Sequence, residues 1–134
     1  MSESPSELQV IDKVYELVLW SCRHVGRFPR SHRFTLGERM EQRLYTLLET
    51  LLRAKYSRDK GQLLRQANME LELLRFQFRL AKDLQCLNLR GYEHAARAVD
   101  EVGRMVGGWR KRRTDTSAPN HEALRRTLGS PHEL

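Results

Sequence analysis

Side chains able to do chemistry are few in this chain of 134 residues, and their spacing does not bring them together. His24 and His32 lie on either side of a break that contains Pro29, with no Cys or acidic group following at metal-ligand spacing. They read as surface or phosphate-facing histidines, and Glu38 nearby lacks the partners that would make the three a composite active site. Glu70 and Glu72 look paired in writing, but two residues apart on a helix they point about 200° from each other and cannot share a proton. Cys22 and Cys86 are far apart and read as two half-buried free thiols. There is no Walker loop, no GxGxxG, no GxSxG and no HExxH. The expectation is a protein that is not an enzyme, with no metal site and no cofactor.

The basic side chains form a more coherent pattern. The formal net charge is +7, and because residues 1–20 and 114–134 are both net acidic, the segment between them carries +11. A body that basic attracts polyanions, nucleic acid first among them. Arg23, Arg27, Arg30 and Arg33 line the first connection, and Arg53, Lys55, Arg58, Lys60 and Arg65 surround the second. Arg104, Arg110, Lys111, Arg112 and Arg113 close the last helix with no acid between them. Some of that last cluster is ordinary finishing of a helix dipole. No helix-turn-helix, finger or RNA-binding sheet motif is present, so contact with the nucleic-acid backbone is expected in place of sequence reading.

The elements that position these groups are helices. Leu, Arg, Glu, Gln and Ala dominate the interior, and Leu-rich windows alternate with charges at spacings of three and four. The spacing predicts a helix from about Leu8 to Val25 with Leu8, Ile11, Val14, Tyr15, Val18 and Cys22 as its buried stripe, ended by Gly26 in positive φ. Phe28 and Phe34 should fold back as anchors around Pro29. Thr35 with Glu38 reads as a capping box opening a second helix to about Tyr56, which buries Met40, Leu44, Leu47, Leu48, Leu51 and Leu52. After a break at 57–61, a third helix runs from about Lys60 to Leu87, closed by Asn88–Gly91. The fourth, Tyr92 to about Lys111, buries Tyr92, Ala95 or Ala96, Val99, Val102, Val106 and Trp109. Asp100 and Glu101 are placed to pair with Arg97 and Arg104 within the helix or across a subunit boundary. Residues 1–7 should be a flexible N-terminal segment, 8–113 the bundle, and 114–134 a largely disordered tail with room for a short helix at Glu122–Leu128. The chain opens MSESPSE with no basic region and apolar run behind it, and no stretch approaches eighteen apolar residues, so the cytoplasm is the expected address.

The third helix carries the strongest structural clue. Leu64, Ala67, Leu71, Leu74, Phe78 and Ala81 make one stripe, while Met69, Leu73, Phe76, Leu80, Leu84 and Leu87 make a second, almost opposite. A four-helix bundle needs one wide apolar face per helix. The second face predicts self-association through Leu73, Phe76, Leu80 and Leu84, with Gly103 and Gly107 one turn apart on the last helix letting another backbone approach.

The strings FPRSHRFTLGERME at 28–41, LLRAKYSRDKGQLLRQANMELELLRFQFRLAKDL at 51–84 and YEHAARAVDEVGRMVGGWRK at 92–111 resemble the accessory variability determinant proteins of diversity-generating retroelements. These belong to a wider group of small four-helix bundles that includes proteins encoded in intervening sequences of bacterial ribosomal RNA genes. The likeness covers about residues 8–112.

The resemblance implies an all-α, antiparallel up-down-up-down bundle assembled as a barrel-like homopentamer. It also implies binding to the element's reverse transcriptase and to RNA and DNA in support of mutagenic complementary-DNA synthesis, with no membrane partner. The candidate polyanion- or polymerase-facing residues are then Arg23, Arg27, Arg30, His32, Arg33, Arg58, Lys60, Arg79, Arg104, Arg110, Lys111 and Arg112. The alternative is an intervening-sequence-type or stand-alone nucleic-acid-binding bundle with no reverse transcriptase partner.

Overall fold

The structure, a computed structural model, describes the backbone of residues 5–127 and the side chains of residues 7–113. Four long helices, α1 (Pro5–Val25), α2 (Glu38–Tyr56), α3 (Lys60–Asp83) and α4 (Leu89–Thr127), account for most of the chain. No strand occurs among the described residues. Each helix packs on its sequence neighbour, and α4 returns to α1, closing a four-membered ring of helices around one core. Cross-contacts run in opposite order along facing helices, Lys13 with Glu101 and Trp20 with His94, as an antiparallel up-down-up-down bundle requires.

The inward stripe of α3 is the one its periodicity predicts: Leu64, Ala67, Leu71, Leu74, Phe78 and Ala81 are all buried. In α2, Met40, Leu44, Leu47 and Leu51 are buried, joined by Thr50 and Ala54, while Leu48 lies at the rim and Leu52 is exposed. In α4, Ala95, Val99, Val102, Val106 and Trp109 are buried, and Tyr92 is half-buried beneath the Lys82 ammonium, 4.8 Å from its ring.

Helix α1 departs from expectation. Its buried face is Val10, Val14, Leu17, Ser21 and Val25, whereas Leu8 and Tyr15 are exposed and Ile11, Val18 and Cys22 lie at the edge. Two overlapping apolar stripes fit its sequence equally well, and the bundle takes the one rotated away from Tyr15. Gly26 ends the helix without entering the left-handed region. A last α-helical bond, Gly26 N to Cys22 O, and two tightened turns, Arg27 N to His24 O and Phe28 N to Val25 O, close it instead.

The expected capping box is absent. Pro29, extended at φ −53° and ψ 145°, is itself the cap of a short helical turn, Arg30–His32. Its carbonyl accepts from the amides of His32 and Arg33, so the chain is already helical before Thr35 and no free amide is left there to cap. The Thr35 hydroxyl bonds back to the Ser31 carbonyl instead. A π-helical turn over Arg33–Gly37 then feeds directly into α2. That extra residue in the turn buries Leu36 and Gly37 and turns Phe34 outward, leaving Phe28 as the buried anchor.

Helix α3 ends at Asp83, not Leu87. Gln85 takes φ 65° and the Cys86 amide reaches back to the Ala81 carbonyl at 2.7 Å, a left-handed C-terminal turn built without glycine. Asn88, read from sequence as part of the ending, opens α4: its Oδ1 accepts from the Gly91 amide at 2.7 Å. Helix α4 does not stop near Lys111 but runs on to Thr127, through much of the segment expected as a tail. Leu128 and the residues after it lie outside those described.

Candidate functional site

Among the described residues nothing covers the second stripe of α3. Met69 and Phe76 are about 60% exposed and Leu73, Leu80 and Leu84 about 40–50%. Leu87 alone among the predicted set is buried, because the turn at Gln85 carries it back into the core. Beside this stripe a groove of about 850 Å³ runs between α2 and α3, lined by Phe34, Leu36, Arg39, Thr46, Glu70 and Leu80 among others. Arg43 braces it, donating to Glu70 at 2.8 Å and to Gln77 at 3.1 Å. Glu72, on the other side of the helix, pairs with Arg75, so the two carboxylates answer to different cations and form no dyad.

A second uncovered apolar surface, missed by the sequence reading, joins α1 to α2. Leu8, Tyr15 and Leu19 are exposed on α1, and Tyr45, Leu52 and Tyr56 on α2. The Cys22 thiol and the Tyr45 hydroxyl, 3.4 Å apart, tie the two helices there. That contact, first through its hydrogen bond and then through the sulfur's charge, pushes the Tyr45 hydroxyl up to about 12 from its ordinary 10.0. The missed signal was the stripe assigned to the interior: Leu8 and Tyr15 are regularly spaced because they share an outer face.

The basic residues divide between the two ends of the bundle and its flanks. Arg23, Arg27 and Arg30 are exposed at the end where α1 turns into α2, with His32 and Arg33 half-buried beside them. Arg33 donates to the Phe28 carbonyl and lies over the Phe34 ring at 5.7 Å. Arg58 is exposed at the opposite end. Lys60 is there too, but its ammonium donates to the carbonyls of Ala54, Ser57 and Lys55 at 2.7, 2.8 and 3.1 Å, finishing α2. Lys111 and Arg112 are exposed near the same end, Arg110 is half-buried, and the Arg113 guanidinium covers Gly61 at the start of α3. Arg79 and Arg104 are exposed on the outer sides of α3 and α4.

The acids on α4 do not pair with Arg97 and Arg104 as predicted. Asp100 bonds to Arg75 of α3, which holds that guanidinium still more firmly protonated, chiefly through the hydrogen bond. Glu101 meets Lys13 of α1 at 3.5 Å. Both are ties between helices of one chain. Gly107 has open space where a side chain would be, and Gly103 faces the Arg75 guanidinium at 3.8 Å. Among the described residues no backbone from another element meets either glycine.

His24 stacks on Trp20 at 3.8 Å between centroids and its Nδ1 bonds to the Trp20 carbonyl, with His94 tilted against the same indole at 4.7 Å. This cluster ties α1 to α4, and His32 is not part of it. Among the described residues no group of three His, Cys, Asp or Glu is gathered to hold a metal, and no helix is long and apolar enough to cross a membrane.

A family model described as bAvd-like matches residues 8–113. No curated protein and no solved structure matches the chain. The match spans the four-helix body, and the chain belongs to the bAvd-like family.

Proposed function

We propose that this bAvd-like protein is a non-enzymatic accessory subunit of a diversity-generating retroelement. It assembles as a homopentamer and holds reverse transcriptase together with RNA and DNA during mutagenic complementary-DNA synthesis. The observation that carries the reading is the bare outer stripe of α3, Met69, Leu73, Phe76, Leu80 and Leu84, in a chain of this family. Leaving these side chains in water forfeits about 1 kcal/mol or more apiece, which a subunit contact recovers. The apolar surface on α1 and α2 supplies a second, different face. Two unlike faces favour a head-to-tail contact, and such a contact closes into a ring when its rotation permits.

The role assigned to this chain is positional. Basic groups at both ends, repeated around a ring, raise the local concentration of nucleic acid beside the polymerase with no bond made or broken by this protein. The test is co-expression with the reverse transcriptase encoded beside it. Co-purification of the two at fixed stoichiometry is expected. Absence of such a gene, or failure of the two to associate, would leave the stand-alone nucleic-acid-binding bundle as the better account.

A further inference from the structure

Arg90, Arg97, Arg104 and Lys111 recur every seventh residue along α4, and all four are exposed. Seven residues fall about 20° short of two helical turns, so the four stay on one gently sloping row. Each step rises about 10.5 Å and the whole row about 31 Å. We propose that this row is a binding strip for the phosphodiester backbone of nucleic acid, distinct from the basic clusters at the bundle ends. The inference rests on the nucleic-acid reading given above and assigns it a place.

Three observations carry it. The carboxylates that flank the row are already committed: Asp100 to Arg75 and Glu101 to Lys13. Among the described residues Glu93 of α4 and Glu16 of α1, which shares a groove with Arg97, are the other acids near it, and no ion pair joins either to the row. The row therefore keeps its charge. The steps of about 10.5 Å are close to the screening length at moderate salt, so the four cations repel one another weakly while each can meet a phosphate. A flexible single strand, free of the winding of a duplex, can lay a phosphate against each cation in turn.

The third observation is the distribution of apolar surface. Large exposed apolar side chains occur on α1, α2 and α3, but on the described part of α4 there is only Leu89, at its very start. Self-association that covers the apolar faces therefore leaves the α4 row in water. In a ring the strip is repeated once per subunit, parallel to its neighbours, as a set of equivalent tracks for a charged polymer.

The test is Arg97→Gln/Arg104→Gln/Lys111→Gln in the full chain, with Arg23→Gln/Arg27→Gln/Arg30→Gln as a control of equal charge. Binding of a labelled single-stranded RNA, and of DNA of the same sequence, is followed across a salt series. Gln keeps helix propensity close to Arg and Lys, and circular dichroism checks the fold. The expected result is affinity reduced at least tenfold in the α4 variant, with the slope of log K against log salt shallower by about 2, as losing three single-strand phosphate contacts requires. The control should lose less. An α4 variant with unchanged slope, beside a control that loses binding, overturns the strip while the nucleic-acid reading stands. Wild-type protein with no salt-dependent binding to either strand overturns both.

Discussion

Gly37 lies where a side chain would meet Val25: a Cβ there falls 2.7 Å from Val25 Cγ1 and 3.3 Å from Phe28 Cδ2. Both neighbours are buried, so neither can swing into solvent. The π-helical turn brings Gly37 inward against the end of α1, and its lack of a side chain lets the two helices close. Gly37→Ala should cost about 1–3 kcal/mol, the usual effect of overpacking, and denaturant unfolding would show it as a lowered midpoint with unchanged m. Val25→Ala in the same chain should return part of the loss. An unaltered midpoint for Gly37→Ala alone would mean that the turn relaxes freely.

Gln85 holds φ 65°, a conformation that costs an L-residue roughly 1–2 kcal/mol and glycine almost nothing. Gln85→Gly should therefore raise stability by about 1 kcal/mol in thermal unfolding, with the C-terminal turn of α3 kept. A decrease would show that the Gln85 side chain contributes more than its backbone strain removes.

Lys60 donates to three carbonyls at the end of α2. Lys60→Ala leaves those acceptors without their charged donor and should destabilise by about 1–3 kcal/mol. The salt slope for nucleic acid should remain that of the wild type. A shallower slope with unchanged stability would place the ammonium on phosphate and not on the helix end.

Tyr45 should titrate near 12 in the folded protein, raised by its contact with Cys22. A raised folded value means the folded state keeps its proton after the unfolded chain has lost it. The stabilisation is complete below about 10, the unfolded value, and disappears as pH rises through about 12. Absorbance titration should resolve one late tyrosine, and Cys22→Ala should return it towards 10.0. A late tyrosine in both proteins would assign the shift to another cause.

What could be read from the sequence depended on whether a pattern had one solution. The stripes of α3 are separated by nearly half a turn, so both faces were identified and the buried one was assigned correctly. The stripes of α1 are adjacent, and periodicity alone could not choose between Tyr15 and Leu17 for the interior. Thr35 and Glu38 matched a capping box because the pattern does not record that Pro29 has already started a helix. Asn88 reads as an ending in the sequence because a non-glycine left-handed residue, Gln85, closes α3 earlier than any punctuation suggests. Among the candidate contacts, Arg23, Arg27 and Arg30 are exposed together, while Lys60 finishes a helix and Arg33 folds against Phe28. Spacing reported where the cations fall along the chain, but not which carbonyls or rings lie within their reach.

The uncovered face of α3 makes the central claim directly measurable. Light scattering at moderate salt should give an absolute mass near five times the 15.8 kDa of the chain. Leu73→Asp or Leu80→Asp should bring it down towards a single chain while helical content is retained. A wild-type mass of one chain at micromolar concentration, or a Leu73→Asp and Leu80→Asp pair that stays fully assembled, would contradict the account.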